Sequence, residues 1–181
     1  MQFFEGMRQI AAGKHWRLEP PDPGMLDTTT TVTLEGAEDG IPVRFECVSN
    51  LHQYRTTASF KPSLPWHFVI THQGVLGDLA NLLGFQDIEL GDPDFDKRFR
   101  VVSREVEKTR ALLTPDVQTQ LKRLDDAAKG FGSRFEVTEH AVCFTRGILT
   151  VSLNTEESVL RELPAVLAVV RALQAAVAAA R

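Results

Sequence analysis

The sequence predicts an α+β fold in which an antiparallel sheet is covered by helices. Alternating apolar and polar residues, typical of half-buried strands, recur over residues 28–73 and again over 134–154. Apolar residues at helical spacing occur over 1–14, over 104–128 and from residue 155 onward. Strands grouped between helices, rather than strictly alternating with them, favour an antiparallel sheet over a parallel one.

Length and composition fit one domain of residues 1–181. Hydrophobic residues make up 43 % and charged residues 24 %, close to the globular average, so a packed core is expected. The order helix, strands, helix occurs twice, which leaves a duplication with halves 1–84 and 85–181 as an alternative. The formal net charge of −4 disfavours a nucleic-acid binder, which usually presents a basic face.

The first part of the chain predicts a helix over residues 1–14, followed by strands. In "IPVRFECV" the side chains of Val43, Phe45 and Cys47 fall on one face. We therefore predict an antiparallel meander of four strands over 28–73. The stretch "VLGDLANLLG" then predicts a short helix that ends at Gly84.

The second part contains the most clearly marked helix, in "TPDVQTQLKRLDDAAKG". Thr114 is its predicted N-cap, Pro115 takes the first helical position, and Gly130 ends it. Two or three strands follow. The terminal helix contains Pro164, which predicts a kink or a separate short helix before it.

An acidic segment, "GDPDFDKRF", precedes these helices. Its carboxylates lie at alternate positions: Asp92, Asp94 and Asp96. A calcium loop of EF-hand type needs glycine at its sixth position and a carboxylate at its twelfth, but Lys97 and Ser103 stand there. The pattern therefore favours a structural turn begun by Asp92-Pro93, with Phe95 and Phe99 as buried anchors.

In the turn interpretation, Asp94 and Asp96 face solvent or pair with a basic neighbour, Lys97, Arg98 or Arg100. The alternative is a weak divalent-cation site formed by the carboxylates of residues 87–96. We predict no cofactor, no metal site and no catalytic residue.

The same segment resembles a bacterial family of unknown function over residues 87–125. The shared features are an acidic residue, two phenylalanines four apart, a valine, a serine and a Leu-Leu-Thr-Pro helix start. Here these are Asp94, Phe95, Phe99, Val101, Ser103, Leu112, Leu113, Thr114 and Pro115. The resemblance implies that the motif is architectural and brings no catalytic residues.

Two features suggest contact with a partner. Trp66, in "SLPWHF", either anchors a partner or caps the core. The terminal helix carries an apolar seam with steps of four and three, formed by Val159, Leu163, Val166, Val170, Leu173 and Val177. That seam either docks on the protein's own sheet or forms a homodimer. The candidate interaction residues are Trp66, Val166, Val170, Leu173 and Val177.

The N-terminus lacks the charged start and apolar run of a signal peptide. The terminal helix is apolar, but Arg171 lies near the middle of its most apolar stretch, so we predict no membrane span and a cytoplasmic protein.

Three functions remain open. The first is a non-enzymatic protein-protein interaction module of a bacterial system. The second is a small-ligand or lipid-binding domain. The third is a metal-dependent enzyme that uses the carboxylates of residues 87–96.

Overall fold

The structure, a computed structural model, describes most of the chain. The described residues are 2–19, 31–48, 53–59, 64–73, 84–128, 133–147 and 155–180. The helices among them are α1 (Gln2–Lys14), α2 (Pro93–Arg98), α3 (Val106–Leu112), α4 (Pro115–Ala128) and α5 (Thr155–Ala179). The strands are β1 (Arg17–Glu19), β2 (Thr31–Glu38), β3 (Ile41–Val48), β4 (Gln53–Ser59), β5 (Phe68–His72), β6 (Gln86–Ile88), β7 (Phe99–Ser103), β8 (Arg134–Val137) and β9 (Ala141–Gly147). The helix predicted before Gly84 and any third strand after β9 lie outside the described residues.

The nine described strands form one sheet in the order β1-β2-β3-β4-β9-β8-β5-β7-β6. Every neighbouring pair is antiparallel, which confirms the predicted α+β class. The predicted meander holds for β2, β3 and β4, which pair in chain order. It is wrong for β5, because the β8–β9 hairpin lies between β4 and β5.

The β2–β3 hairpin is closed by two residues with left-handed backbone, Asp39 at φ 50° and Gly40 at φ 77°. Glu38 pairs with Ile41 across this turn. Positive φ at both central residues matches the right-handed twist of the strands, which is why Asp-Gly is favoured there. The turn thereby fixes the register of the longest strand pair.

Residue alternation separates the two faces of the sheet. The side chains that face the helices are buried and apolar: Leu34, Val43, Phe45, Ala58, Phe68, Ile70, Phe135, Val142 and Phe144. On the opposite face Arg44 donates to Glu35 at 3.1 Å and to Glu46 at 2.9 Å. The core therefore lies between the sheet and the helices, and the outer face of β2 and β3 is polar.

Helix α5 runs without interruption through Pro164, so the predicted break does not occur. A proline removes the hydrogen bond to the carbonyl four residues earlier, here that of Leu160. Both Pro164 and Leu160 are exposed, so water can satisfy that carbonyl. On the buried face of the same helix, Glu162 accepts a hydrogen bond from Arg146 of β9, and both side chains are buried.

Candidate functional site

An apolar groove of about 370 Å³ lies where α3, the end of α5 and the segment before β5 meet. Its lining residues are Leu64, Pro65, Trp66, Lys108, Ala111, Leu112, Val177 and Ala180. Leu64, Leu112 and Val177 are buried and form the floor. Pro65, Ala111 and Ala180 are exposed, so the groove is open to solvent along one side.

A chain of buried hydroxyl groups fixes the orientation of Trp66. Its indole Nε1 donates to Thr109 Oγ1 at 3.2 Å, and that hydroxyl donates to Ser103 Oγ at 2.9 Å. Ser103 Oγ donates in turn to the carbonyl of His67 at 3.3 Å, and Ser103 and Thr109 are fully buried. Because its polar atom is already satisfied, the half-buried ring presents apolar surface to the groove.

The structure brings together two of the five candidate interaction residues. Trp66 and Val177 both line the groove, although they are far apart in the sequence. Val166, Val170 and Leu173 are fully buried in the protein's own core. The helix seam therefore packs against α4, α1 and β4 of the same chain, and these three side chains are covered within the protein.

No local pattern in the sequence marks the other lining residues. Lys108, Ala111 and Leu112 belong to α3, Leu64 precedes β5, and Ala180 follows α5. Each of these segments has an ordinary local pattern. Their proximity is a product of strand order and helix packing, for which hydrophobic periodicity carries no signal.

The acidic segment forms helix α2 rather than the predicted turn. Asp92 is its N-cap, and Oδ1 of Asp92 accepts the N–H groups of Asp94 at 3.0 Å and Phe95 at 3.2 Å. Pro93 then occupies the first helical position, where its missing N–H costs nothing. Phe95 is fully buried and Phe99 is buried beside it, with ring centroids 4.7 Å apart.

The remaining carboxylates of this segment have partners other than the basic neighbours predicted for them, although Asp94 is exposed, as predicted. The carboxylate of Asp96 accepts the backbone N–H groups of Leu90 and Gly91, at 3.0 and 2.9 Å. Asp94 pairs with Lys122 of α4 at 3.3 Å. Within the described part of the chain no three metal-binding side chains converge. The carboxylates thus hold α2 against the loop before it and against α4.

The pKa of Asp92 is lowered, first by the N–H of Phe95 and then by the Lys122 ammonium 3.1 Å away. A lowered folded-state pKa gives stability that is present above the unfolded pKa and is lost as the pH falls through the folded one. We therefore expect Asp92→Ala to lower the Tm at pH 7, and the difference from the parent to shrink below about pH 4. Thermal unfolding of both proteins, followed by circular dichroism from pH 7 to pH 3, measures this difference in Tm.

The matched variant for this test is Asp92→Asn, which keeps an acceptor oxygen at the N-cap and loses only the charge. We expect a smaller loss of Tm at pH 7 than for Asp92→Ala. A difference between Asp92→Ala and the parent that stays constant down to pH 3 would contradict the assignment of Asp92 as a charged cap.

Thr114 and Pro115 occupy their predicted positions at the start of α4. Thr114 Oγ1 accepts the N–H of Val117 at 3.4 Å, and Pro115 is the first residue of the helix. This helix start places the apolar stripe of α4 against α5, as the burial of Leu121 and Leu124 shows.

A second polar cluster surrounds the buried Asp125 of α4. His72 Nε2 lies 2.5 Å from one carboxylate oxygen, and Arg98 Nε donates to the other at 2.5 Å. Asp126 also pairs with Arg98. The adjoining cavity, lined by Asp125 and the buried Ser133, measures about 20 Å³, which is room for one water molecule but not for a substrate. This cluster joins α2, α4 and β5.

The cysteines lie on opposite faces of the sheet. Cys47 is buried toward the helices, and burial raises its pKa to about 11, so that the thiol stays protonated at neutral pH. Cys143 is half-buried on the outer face, with its sulfur 3.9 Å from the hydroxyl of Thr57. Both are free thiols.

Comparison with known proteins identifies a shared fold. No family model matches the sequence, and no curated protein matches it. The crystal structure of the mycobacterial trehalose monomycolate transport factor A, TtfA, superposes with a TM-score of 0.67 over 93 % of this chain and 94 % of that chain. The two sequences are 12 % identical. At that identity the likeness establishes the fold alone.

Helix α5 also meets the length and composition of a membrane span. Residues Val159–Ala179 have a mean hydropathy of 1.5. However, 56 % of the most apolar stretch is buried inside the protein. The core helix of a soluble protein passes the same test, so the feature is weak evidence for a span.

Proposed function

We propose that this chain is a non-enzymatic interaction module of a bacterial cytoplasmic system, and that the groove beside Trp66 receives a segment of its protein partner. The groove carries the proposal. It combines an apolar floor with a tryptophan whose ring is held in place by buried hydrogen bonds. Rigid, partly exposed aromatic side chains next to apolar pockets contribute most of the binding energy at many protein interfaces.

Preorganisation makes Trp66 a better anchor than an unrestrained side chain. A mobile side chain loses rotamer entropy when it binds, at about 0.5–1.5 kcal/mol for each side chain that becomes fixed. The hydrogen bond to Thr109 removes that cost before binding. Because the indole N–H is used internally, a partner needs to supply only apolar surface to cover the ring.

The likeness to TtfA supports this proposal at the level of the fold. TtfA is named a transport factor, and it shares the architecture over nearly the whole of both chains. A role as an accessory protein is consistent with a domain that carries an open apolar groove. We assign the predicted partner contact to the groove. We also propose that α5 is a core helix that crosses no membrane.

A second candidate function is the binding of a small apolar ligand or a lipid. The observation that favours it is the volume of the groove, about 370 Å³, because ligand pockets commonly measure roughly 300–1,000 Å³. TtfA itself is named for the transport of trehalose monomycolate. Ligand pockets usually bury most of their ligand, whereas this groove is open along one side.

Site-specific photo-crosslinking in the native host tests the proposal. A benzophenone amino acid at position 111 lies on the exposed wall of the groove. The matched control is position 37, since Ala37 is also exposed but lies on the outer face of β2. We expect a discrete protein adduct from position 111 and none from position 37.

The other outcomes of this experiment are equally informative. An adduct at position 111 whose mass increase is that of a small molecule would replace the proposal with the second candidate function. Equal labelling from positions 111 and 37, or none from either, would show that the groove is not where this protein meets a partner.

A further inference from the structure

We infer that the groove beside Trp66 takes an apolar peptide segment that carries a carboxylate next to its apolar anchor. This inference rests on the proposed function and names the chemistry of the partner. The described lining residues comprise one charged group, the ammonium of Lys108, and seven apolar residues. A basic occupant would meet a like charge at Lys108, whereas a carboxylate on the occupant would meet an opposite one.

Lys108 is placed so that it can act on an occupant of the groove. Its Nζ lies 5.7 Å from the centroid of the Trp66 ring, and 60 % of its side chain is exposed. Its partner, Glu105 on the same helix, is 3.1 Å away, and 46 % of the side chain of Glu105 is exposed. Exposed pairs of this kind contribute little to stability, so a carboxylate from outside can join or replace Glu105 at little cost.

The position of Lys108 also sets where the carboxylate must lie. The ammonium and the indole ring share one wall of the groove, while the floor is formed by Leu64, Leu112 and Val177. A large apolar side chain that contacts this floor therefore brings its neighbouring residues to the level of Trp66 and Lys108. An aspartate or glutamate in those neighbouring positions would pair with Lys108 at the edge of the buried contact, where a charge pair adds specificity.

The open shape of the groove favours a peptide over a lipid as the occupant. Pro65, Ala111 and Ala180 are exposed along its rim, so a bound molecule would stay in contact with solvent on one side. An acyl chain gains most from complete enclosure. A peptide segment, in contrast, places one apolar face in such a groove and keeps its polar face in water.

Selection from a displayed random peptide library against the intact chain tests the inference. We expect enriched sequences to combine a leucine, isoleucine or phenylalanine with a nearby aspartate or glutamate. A labelled synthetic copy of one such peptide is then measured by fluorescence anisotropy. Binding should weaken by about tenfold or more when its acidic residue is changed to lysine, and also when the protein carries Lys108→Glu.

The decisive measurement reverses the charge on both the peptide and the protein. The lysine peptide should recover affinity for the Lys108→Glu protein, because the pair is restored with opposite polarity. Ala111→Glu should abolish binding of the original peptide, whereas the same substitution at the exposed Ala37 on the far part of the sheet should leave it unchanged. Circular dichroism of each variant shows whether it is folded.

Two results would overturn the inference and can be told apart from a failure of the proposed function. In the first, the selected peptides lose binding to the Ala111→Glu variant but bind the Lys108→Glu variant as well as the parent. The groove would then remain a protein-binding site, but its partner would not be acidic. Sodium decanoate that quenches Trp66 fluorescence, in the absence of any peptide sensitive to Ala111→Glu, would identify the occupant as a lipid and refute the peptide.

Discussion

Replacing Phe95 with alanine is expected to lower the free energy of unfolding by about 3–5 kcal/mol, the usual range for a buried aromatic side chain. Phe95 is fully buried and is the buried residue of α2. Its ring packs 4.7 Å from that of Phe99, so the substitution opens a cavity and removes an aromatic pair. Urea denaturation of the parent and the variant, followed by circular dichroism, gives the difference.

Lys97→Ala is the matched control, because Lys97 is the exposed residue two positions along the same short helix. Its effect should stay within about 0.5 kcal/mol. A Phe95→Ala variant that unfolds together with the parent would show that α2 is not anchored through this ring. The helix would then be held by its polar contacts, those of Asp92, Asp96 and Arg98 among them.

Replacing Glu162 with alanine is expected to lower the free energy of unfolding by a similar amount, about 3–5 kcal/mol. Glu162 is 1 % exposed and pairs with the buried Arg146 of β9, so its removal leaves the guanidinium in the core without this carboxylate. Removing one partner of a buried ion pair is costly because the remaining charge loses that partner and is too buried for water to replace it.

The exposed Glu157 of the same helix serves as the control. It lies 3.8 Å from Arg161 at the protein surface, and Glu157→Ala should change stability by less than about 0.5 kcal/mol. The double variant Arg146→Met with Glu162→Leu should recover most of the loss, since an apolar pair can replace a buried ion pair. If the double variant is as unstable as Glu162→Ala, the cost comes from packing rather than from the uncompensated charge.

Local signals in the sequence predicted most helices and strands correctly. Thr114-Pro115 marked the start of α4, and the alternation in "IPVRFECV" marked the buried face of β3. These signals work because caps and side-chain periodicity act within a few residues. The acidic segment was predicted as a turn, although Asp92 followed by Pro93 is also the pattern of a helix N-cap and first helical residue.

The candidate site was predicted only in part. Trp66 stood out because Pro65 disfavours a regular buried strand centre there, which predicts a partly exposed ring, and Val177 stood out as part of the helix seam. The seam itself was ambiguous, since an apolar stripe shows that a helix is covered and not what covers it. Val166, Val170 and Leu173 are buried, and α5 packs against α4, α1 and β4 of the same chain.

The sequence by itself determined the α+β class, the N-cap of α4 and the burial of Phe95, because each depends on neighbours within a helical turn or a strand. Only the tertiary structure decided that β8 and β9 lie between β4 and β5. It alone brought Trp66 and Lys108 to the end of α5, where they form the groove. Long-range strand pairing is selected by the packing of the whole core, and local periodicity is the same for every strand order that buries the same faces.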